Sequence, residues 1–276
     1  MTKLPISSPS VPGDMQADSV PLVSATTNQG ICTLTLMRAQ AYNALSDELI
    51  AELSDCLDSI ARDDQIRVVV LRGDGRGFCA GHDLKQMMQD DDAQRQQQTF
   101  DNCSVLMQKI NNLPQPVIAQ VQGIATAAGC QLVASCDLAV AEQSARFATP
   151  GVNIGLFCST PMVALTRTIS KKHAMEMLLL GEMISAERAY QIGLINRVVA
   201  TDQLESAVQA MAQNIAAKSS YCVSTGKQAF YSQLNQPLDA AYANCSKVMG
   251  CNIQHADAKE GIDAFLNKRA PRWHDQ

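Results

Sequence analysis

Val117-Ile118-Ala119-Gln120-Val121-Gln122-Gly123-Ile124-Ala125-Thr126-Ala127-Ala128-Gly129-Cys130-Gln131 reads as a buried strand that runs through a Gly/Ala turn into a helix. Residues 117–121 lack the alternation of a half-exposed strand and suit one covered on both faces. A helix starting near Gly129 begins with backbone N–H groups that have no internal acceptor and carry partial positive charge. Small residues around that start let a ligand approach the backbone. Upstream, the same plan occurs once more. Val68-Val69-Val70-Leu71 leads into the loop Gly73-Asp74-Gly75-Arg76-Gly77, then Phe78-Cys79-Ala80-Gly81-His82-Asp83-Leu84-Lys85. Two N–H groups aimed at one point form an oxyanion hole, each donor worth about 3–4 kcal/mol in a transition state. Either segment taken alone also reads as an ordinary packing turn. The glycine spacing at 73–77 is G-x-G-x-G, not the G-x-G-x-x-G of a dinucleotide loop, and no helix follows it directly.

Around these segments the chain alternates strand and helix. Residues 22–27 and 31–37 are short β-type runs joined by Asn28-Gln29-Gly30, a hairpin signal. Leu49, Ile50, Leu53, Leu57 and Ile60 recur at helical spacing after Ser46, a good N-cap. The polar stretch 86–98 suggests a mobile helix or flap, and 101–110 a helix. Residues 129–136 form a further helix and 138–141 a third buried strand. The strand starts at 68 and 117 lie about 50 positions apart, a repeat that predicts an α/β layered fold. Beyond residue 185 the pattern is helical, at 185–193, 204–217, 219–234, 238–249 and 256–268. The expected organisation is an arm over 1–20, a core over 21–204 and a helical region over 205–276.

The composition narrows the function. In 276 residues, 46% hydrophobic but 4% aromatic, the core must be aliphatic. A net charge of −5 with no basic stripe argues against nucleic-acid binding. The ten cysteines form no CxxC pair, so neither a zinc site nor a disulfide framework is expected, and free thiols fit a reducing compartment. No run of residues is long and apolar enough for a membrane span or a secretory signal, and the Pro- and Ser-containing start is not Arg-rich. These features predict a cytoplasmic protein.

Taken together, RAQAYNAL (38–45), GFCAGHDLK (77–85), GIATAAGCQLVASCDLAVA (123–141), TPGVNIGL (149–156) and EGIDAFLNKRAP (260–271) resemble the successive signature blocks of the crotonase, or enoyl-CoA hydratase/isomerase, superfamily, from about residue 20 to the end. GLFCSTP (155–161) is similar to one subgroup, that of enoyl-CoA hydratase domain-containing protein 3. The resemblance implies a crotonase-type (ClpP-like) spiral of ββα units with a helical C-terminal region that forms trimers or hexamers. It implies an acyl-CoA or enoyl-CoA thioester as ligand, with no cofactor or metal beyond the coenzyme A of the substrate. The backbone N–H groups of His82 and Ala128 match the family's oxyanion donors. CoA-binding positions fall at Ala41, Ala80, His82, Asp83, Leu84 and Lys85, and near the nucleotide end at Phe265 and Lys268. Lys85 also reads as a solvated surface lysine, Asp83 as a helix cap, and the His82 side chain as pointing away while its backbone serves.

The sequence departs from the family at the two catalytic glutamates. Gln131 and Gly151 stand in their places. Acid–base groups of this kind contribute about 10²–10⁴-fold each, so efficient hydration is not expected. Three readings remain. Other residues near Cys158, Ser159 and Thr160 could act, Ser159 matching a position where some relatives carry a carboxylate. Water or a small anion could fill a gap left by Gly151, held by Gln131. Or the chain binds acyl-CoA without catalysis. A Ser159 or Cys158 hydrolase is the alternative from another class, with no G-x-S-x-G and no histidine placed beside either residue.

Overall fold

The computed structural model describes residues 21–89 and 92–274. The expected arm over 1–20 lies outside the described residues. Nine strands are present among those described: β1 (Val23–Asn28), β2 (Ile31–Leu36), β3 (Val68–Gly73), β4 (Val117–Val121), β5 (Ile124–Thr126), β6 (Leu138–Glu142), β7 (Arg146–Ala148), β8 (Ile184–Ser185) and β9 (Arg197–Val199). The helices are α1 (Asp47–Ile60), α2 (Leu84–Met87), α3 (Ala93–Asn112), α4 (Ala128–Ser135), α5 (Ser159–Thr168), α6 (Lys171–Leu180), α7 (Ala186–Gln191), α8 (Leu204–Ala216), α9 (Ser220–Gln233), α10 (Leu238–Asn252) and α11 (Ala256–Leu266).

The larger sheet has the order β1-β2-β3-β4-β6-β9. The β1–β2 hairpin is antiparallel, and every later pairing in that sheet is parallel. Strand alternation explains the continuous apolar runs. Val69 and Leu71 face one side with Leu34, Leu36, Val117 and Ala119, under α1, α3 and α4. Val68 and Val70 face the other with Ile31, Ile118 and Val140, under Leu204, Val208 and Met211 of α8. Burial on both faces is why these strands read as unbroken hydrophobic stretches. Ser46 caps α1, its hydroxyl accepting from the Leu49 N–H at 3.3 Å.

A smaller sheet, β5-β7-β8, runs beside the first. Each turn of the chain sends one strand into the large sheet and a short one toward the small sheet. Thus β4 is followed by β5, β6 by β7, and β3 by an isolated bridge in which Cys79 pairs in parallel with Ala125. Cys79, Ala125 and Phe147 therefore stand side by side. The loops that follow them, at His82, Ala128 and Pro150-Gly151, emerge at the same end of adjacent turns. This repeated ββα spiral is the α/β architecture read from the sequence.

Of the two expectations for the polar stretch 86–98, a mobile helix or a flap, helix is what its described residues largely form, in α2 to Met87 and in α3 from Ala93. Asp92 caps α3, which starts at Ala93 rather than 101 and buries Thr99, Cys103, Leu106, Met107 and Ile110. Helices α9–α11 form an outer layer. Lys227 of α9 ties that layer to the spiral: its buried ammonium donates to the Ile110 and Gln115 carbonyls and to Asp137 Oδ2 at 2.7 Å.

Candidate functional site

The two glycine-bearing segments are clamped together. The Phe78 and Cys79 N–H groups donate to the Ile124 carbonyl, the Thr126 N–H to Cys79 O at 2.9 Å, and the Thr126 hydroxyl to Ala80 O at 2.9 Å. Gly129 faces the Cys79 carbonyl so closely that any Cβ there would overlap it. A helix start with a larger residue at 129 could not reach this segment. Asn43, wholly buried, holds the other side. Its amide nitrogen lies 2.8 to 3.1 Å from the carbonyls of Asp74, Gly77 and Phe78, and its Oδ1 accepts from the Arg38 N–H.

His82 and Ala128 sit where these segments meet. Residues 45 and 82 form a parallel bridge in which Leu45 N–H donates to Gly81 O and Asp83 N–H to Leu45 O. The residues flanking His82 thus use the edge toward Leu45, and the His82 N–H lies on the opposite edge, since successive groups of an extended chain alternate. Ala128 opens α4, so its N–H has no intrahelical acceptor, while the Ala127 N–H is spent on Ala148 O at 2.9 Å. Among the described residues neither the His82 nor the Ala128 N–H has a hydrogen-bond acceptor. Gly81, at φ +98°, brings them close: a Cβ on it would stand 3.2 Å from the Ala128 nitrogen and 2.8 Å from Ala127 Cβ. Ala127 itself is held at φ +50°, ψ −119°, a backbone state that costs an L-residue about 1–3 kcal/mol. That strain is stored at the residue that aims the Ala128 N–H.

A cavity of about 520 Å³ opens beside both amides. Ala80, His82, Leu84, Ala128, Gly151 and Ser159 line it, as do Cys158 and Thr160. Phe100 and Gln97 of α3, with Ile154, Leu156 and Phe157, also line it and were not singled out from the sequence. No local spacing marks the first two, which reach the cavity from a separate helix, whereas the 154–157 loop lies within the quoted stretches TPGVNIGL and GLFCSTP, read there as whole blocks. Ala41, Asp83, Lys85, Phe265 and Lys268 are not part of the lining. Asp83 is a helix cap: Oδ1 accepts from the Lys85 and Gln86 N–H groups while Oδ2 pairs with Arg38 at 2.8 Å. The Arg38 hydrogen bond holds its carboxyl below the usual range. Phe265 lies on a separate apolar groove of about 580 Å³ between α9, α10 and α11.

The His82 side chain lies against α3. Its ring meets Phe100 edge-on, centroids 5.3 Å apart, and both ring nitrogens are buried without a partner. Burial lowers its pKa from 6.5 to about 4, so the imidazole is neutral at pH 7.

Gln131 and Gly151, where the resemblance implies glutamates, are both closed in. Gln131 is 3% exposed, and its Oε1 has no partner. Gly151 leaves no gap in its side-chain direction, which corrects the expectation of a space there for water or an anion. A Cβ at 151 would overlap the Leu156 carbonyl oxygen and stand 2.8 Å from Cys158 Sγ. The loop closes on it through Leu156 N–H to Gly151 O at 2.9 Å, and Gly155 turns the chain at φ +77°. Ser159 gives no sign of an activated nucleophile. Its hydroxyl reaches only the Phe157 carbonyl at 3.4 Å, burial pushes the Cys158 thiol up, and neither is bonded to a histidine. The nucleophile–base contact that a hydrolase needs is not formed.

A model of the enoyl-CoA hydratase/isomerase family matches residues 26–276. The chain is 43% identical over 96% of its length to mouse "Enoyl-CoA hydratase domain-containing protein 3, mitochondrial", covering 89% of that protein. Two solved structures superpose over 92% of the chain and all of their own: an enoyl-CoA hydratase from Mycobacterium smegmatis, 48% identical with a TM-score of 0.91, and human enoyl-CoA hydratase domain-containing protein 3, 44% identical with a TM-score of 0.87. The mouse protein's name places it in the mitochondrion and overturns the cytoplasmic expectation. That expectation rested on the composition of residues 1–22 and on the lack of a spanning segment. Neither property reports a compartment. Among the described residues no helix is long and apolar enough to cross a membrane.

Proposed function

Since the chain belongs to the enoyl-CoA hydratase/isomerase family, in the subgroup of enoyl-CoA hydratase domain-containing protein 3, we propose that it binds acyl-CoA thioesters with the carbonyl oxygen between the His82 and Ala128 N–H groups. The observation that supports this reading is the pair of free amides on two segments locked against one another beside a 520 Å³ cavity. Donors fixed before the ligand arrives need no reorganisation as negative charge grows on that oxygen, and stabilise an enolate. Lys85, exposed at the start of α2, meets the CoA phosphates, with Ala41 beside the channel. No further cofactor is required, because the coenzyme is part of the ligand. In this reading the chain works in the mitochondrion, which is supported by the name of the mouse relative.

Hydration at the rate of a two-glutamate enzyme is not part of this function. Gln131 does not titrate near neutral pH, and Gly151 has no side chain. A second reading, acyl-CoA binding without turnover, is favoured by one observation: no carboxylate lines the cavity among the described residues. Proton exchange separates the two. With butyryl-CoA in deuterium oxide, an enolate-stabilising site lets solvent deuteroxide take the α-proton, and deuterium from the solvent returns to that carbon. A site that only binds gives a calorimetric signal and no exchange. Absence of any heat with butyryl-CoA refutes both.

The outer helices carry Phe230, Leu238, Tyr242, Met249 and Phe265 exposed. We place the homotrimer or hexamer contact there. Phe265 and Lys268 reach a neighbour's nucleotide end in this arrangement, in keeping with their absence from the cavity of their own chain.

A further inference from the structure

We propose that the cavity selects thioesters whose acyl group is uncharged and apolar, and rejects those ending in a carboxylate. This rests on the acyl-CoA reading above and names the substrate class for the same site.

The lining carries the inference. Among the described residues, no Asp, Glu, Lys or Arg lines the cavity. Beyond the two amides most of its walls are apolar: Phe100 from α3, Pro150, and Ile154, Leu156 and Phe157 from the loop after β7. Of the polar side chains in the lining, the Gln97 amide donates to Asp101 and the Asn153 amide to the Gly181 carbonyl, which leaves the Ser159 and Thr160 hydroxyls. Leu84, Ile154, Leu156 and Phe157 are exposed large apolar residues in the ligand-free chain. An apolar acyl group covers such surface, which a single chain otherwise leaves to water. Arg95, two residues before Gln97 on α3, lies 3.7 Å from Asp47 and is not part of the lining.

A carboxylate entering this cavity needs donors or a positive charge, and three possible sources are spent or unsuitable. The N-terminus of α5 faces the cavity through Ser159, Thr160 and Pro161. Its Ser159 N–H already donates to Phe157 O at 2.7 Å, Pro161 has no N–H, and the Met162 N–H donates to Cys158 O. The Thr160 N–H and the Ser159 and Thr160 hydroxyls remain, neutral donors that bring no charge to balance an anion. The His82 ring packs edge-on to Phe100 with both nitrogens sealed, and burial keeps it neutral, so it adds no positive charge. The His82 and Ala128 amides are occupied by the thioester oxygen. An unpaired charge in these surroundings loses its hydration without recompense.

The matched pair hexanoyl-CoA and adipyl-CoA tests this. Both acyl groups have six carbons, and they differ in the terminal carboxylate. Calorimetric titration of the full chain with each, and with free CoA, reads the preference. The expected result is hexanoyl-CoA binding at least about tenfold tighter than adipyl-CoA, since burying an unpaired carboxylate costs more than a lost apolar contact. Adipyl-CoA binding as tightly as hexanoyl-CoA, or tighter, overturns the inference while leaving the acyl-CoA reading intact. No binding by either thioester removes that reading, and the inference with it. Leu156→Lys supplies a second check. The residue is exposed, so the fold tolerates the change, and a cation at the wall should shrink the hexanoyl/adipyl ratio by about tenfold. An unchanged ratio in that variant counts against the cavity wall as the source of selection.

Discussion

At the residue scale, the site depends on backbone groups placed by a few side chains. His82 is the clearest case, because its backbone and its ring act separately. The backbone offers the free N–H, and the ring packs on Phe100 as a neutral, buried group. The folded imidazole titrates near 4 and the unfolded one near 6.5, so between these values the unfolded chain binds the extra proton. Stability is full above pH 6.5 and falls as pH drops toward 4, by about 3 kcal/mol across the window. Urea denaturation at several pH values should show this slope in the wild type and its loss in His82→Phe, which keeps a ring against Phe100. An equal slope in both proteins would show that the imidazole is not sealed. The two residues with free N–H groups were legible as candidates because each sits in a local motif, FCAGHDL or ATAAGCQ. Asn43 and Phe100 were not. Asn43 acts on carbonyls more than thirty positions away, and Phe100 meets His82 from a separate helix, so no local spacing announces either.

At the scale of elements, the parallel register of β4, β5, β6 and β7 sets the loops of adjacent turns beside one another. The strand–helix repeat was legible from the apolar runs, since burial on both faces leaves a plain signature. The short strands β5, β7 and β8 were not, because two or three residues give no periodicity to read. The loop after β7 shows a second limit. A glycine where the resemblance implies a glutamate suggested empty space, whereas the side-chain direction of Gly151 is enclosed by the Leu156 carbonyl and Cys158. Gly151→Glu is therefore expected to lower stability by about 3 kcal/mol or more through overlap and strain, without restoring hydration. Thermal melting and a crotonyl-CoA hydration assay check this. A stable Gly151→Glu protein with strong hydratase activity would show that the loop readily opens for a carboxylate.

At the scale of the whole molecule, the spiral and the outer helices are joined by a buried ion pair and otherwise expose much apolar surface. Phe265 is 83% exposed and Tyr242 72%. Patches of this kind mark association surfaces. Light scattering after size-exclusion chromatography at micromolar concentration should give the mass of three or six chains. The mass of one chain would leave α9–α11 without their proposed partner and Phe265 without a nucleotide to meet. The helical character of this region was legible from its periodicity. Its distance from its own cavity was not, since that depends on where the last helices pack and not on how they form.

The free amides of residues 82 and 128 belong to the backbone and not to a side chain, but the thioester carbonyl proposed to lie between them can be observed. Isotope-edited infrared difference spectroscopy of butyryl-CoA labelled with carbon-13 at the thioester carbonyl reads that bond in the bound state. Two converging donors polarise the carbonyl, so its stretch should move to lower frequency on binding. A bound thioester whose carbonyl stretch matches that of the free ligand would contradict the placement of its oxygen between these N–H groups.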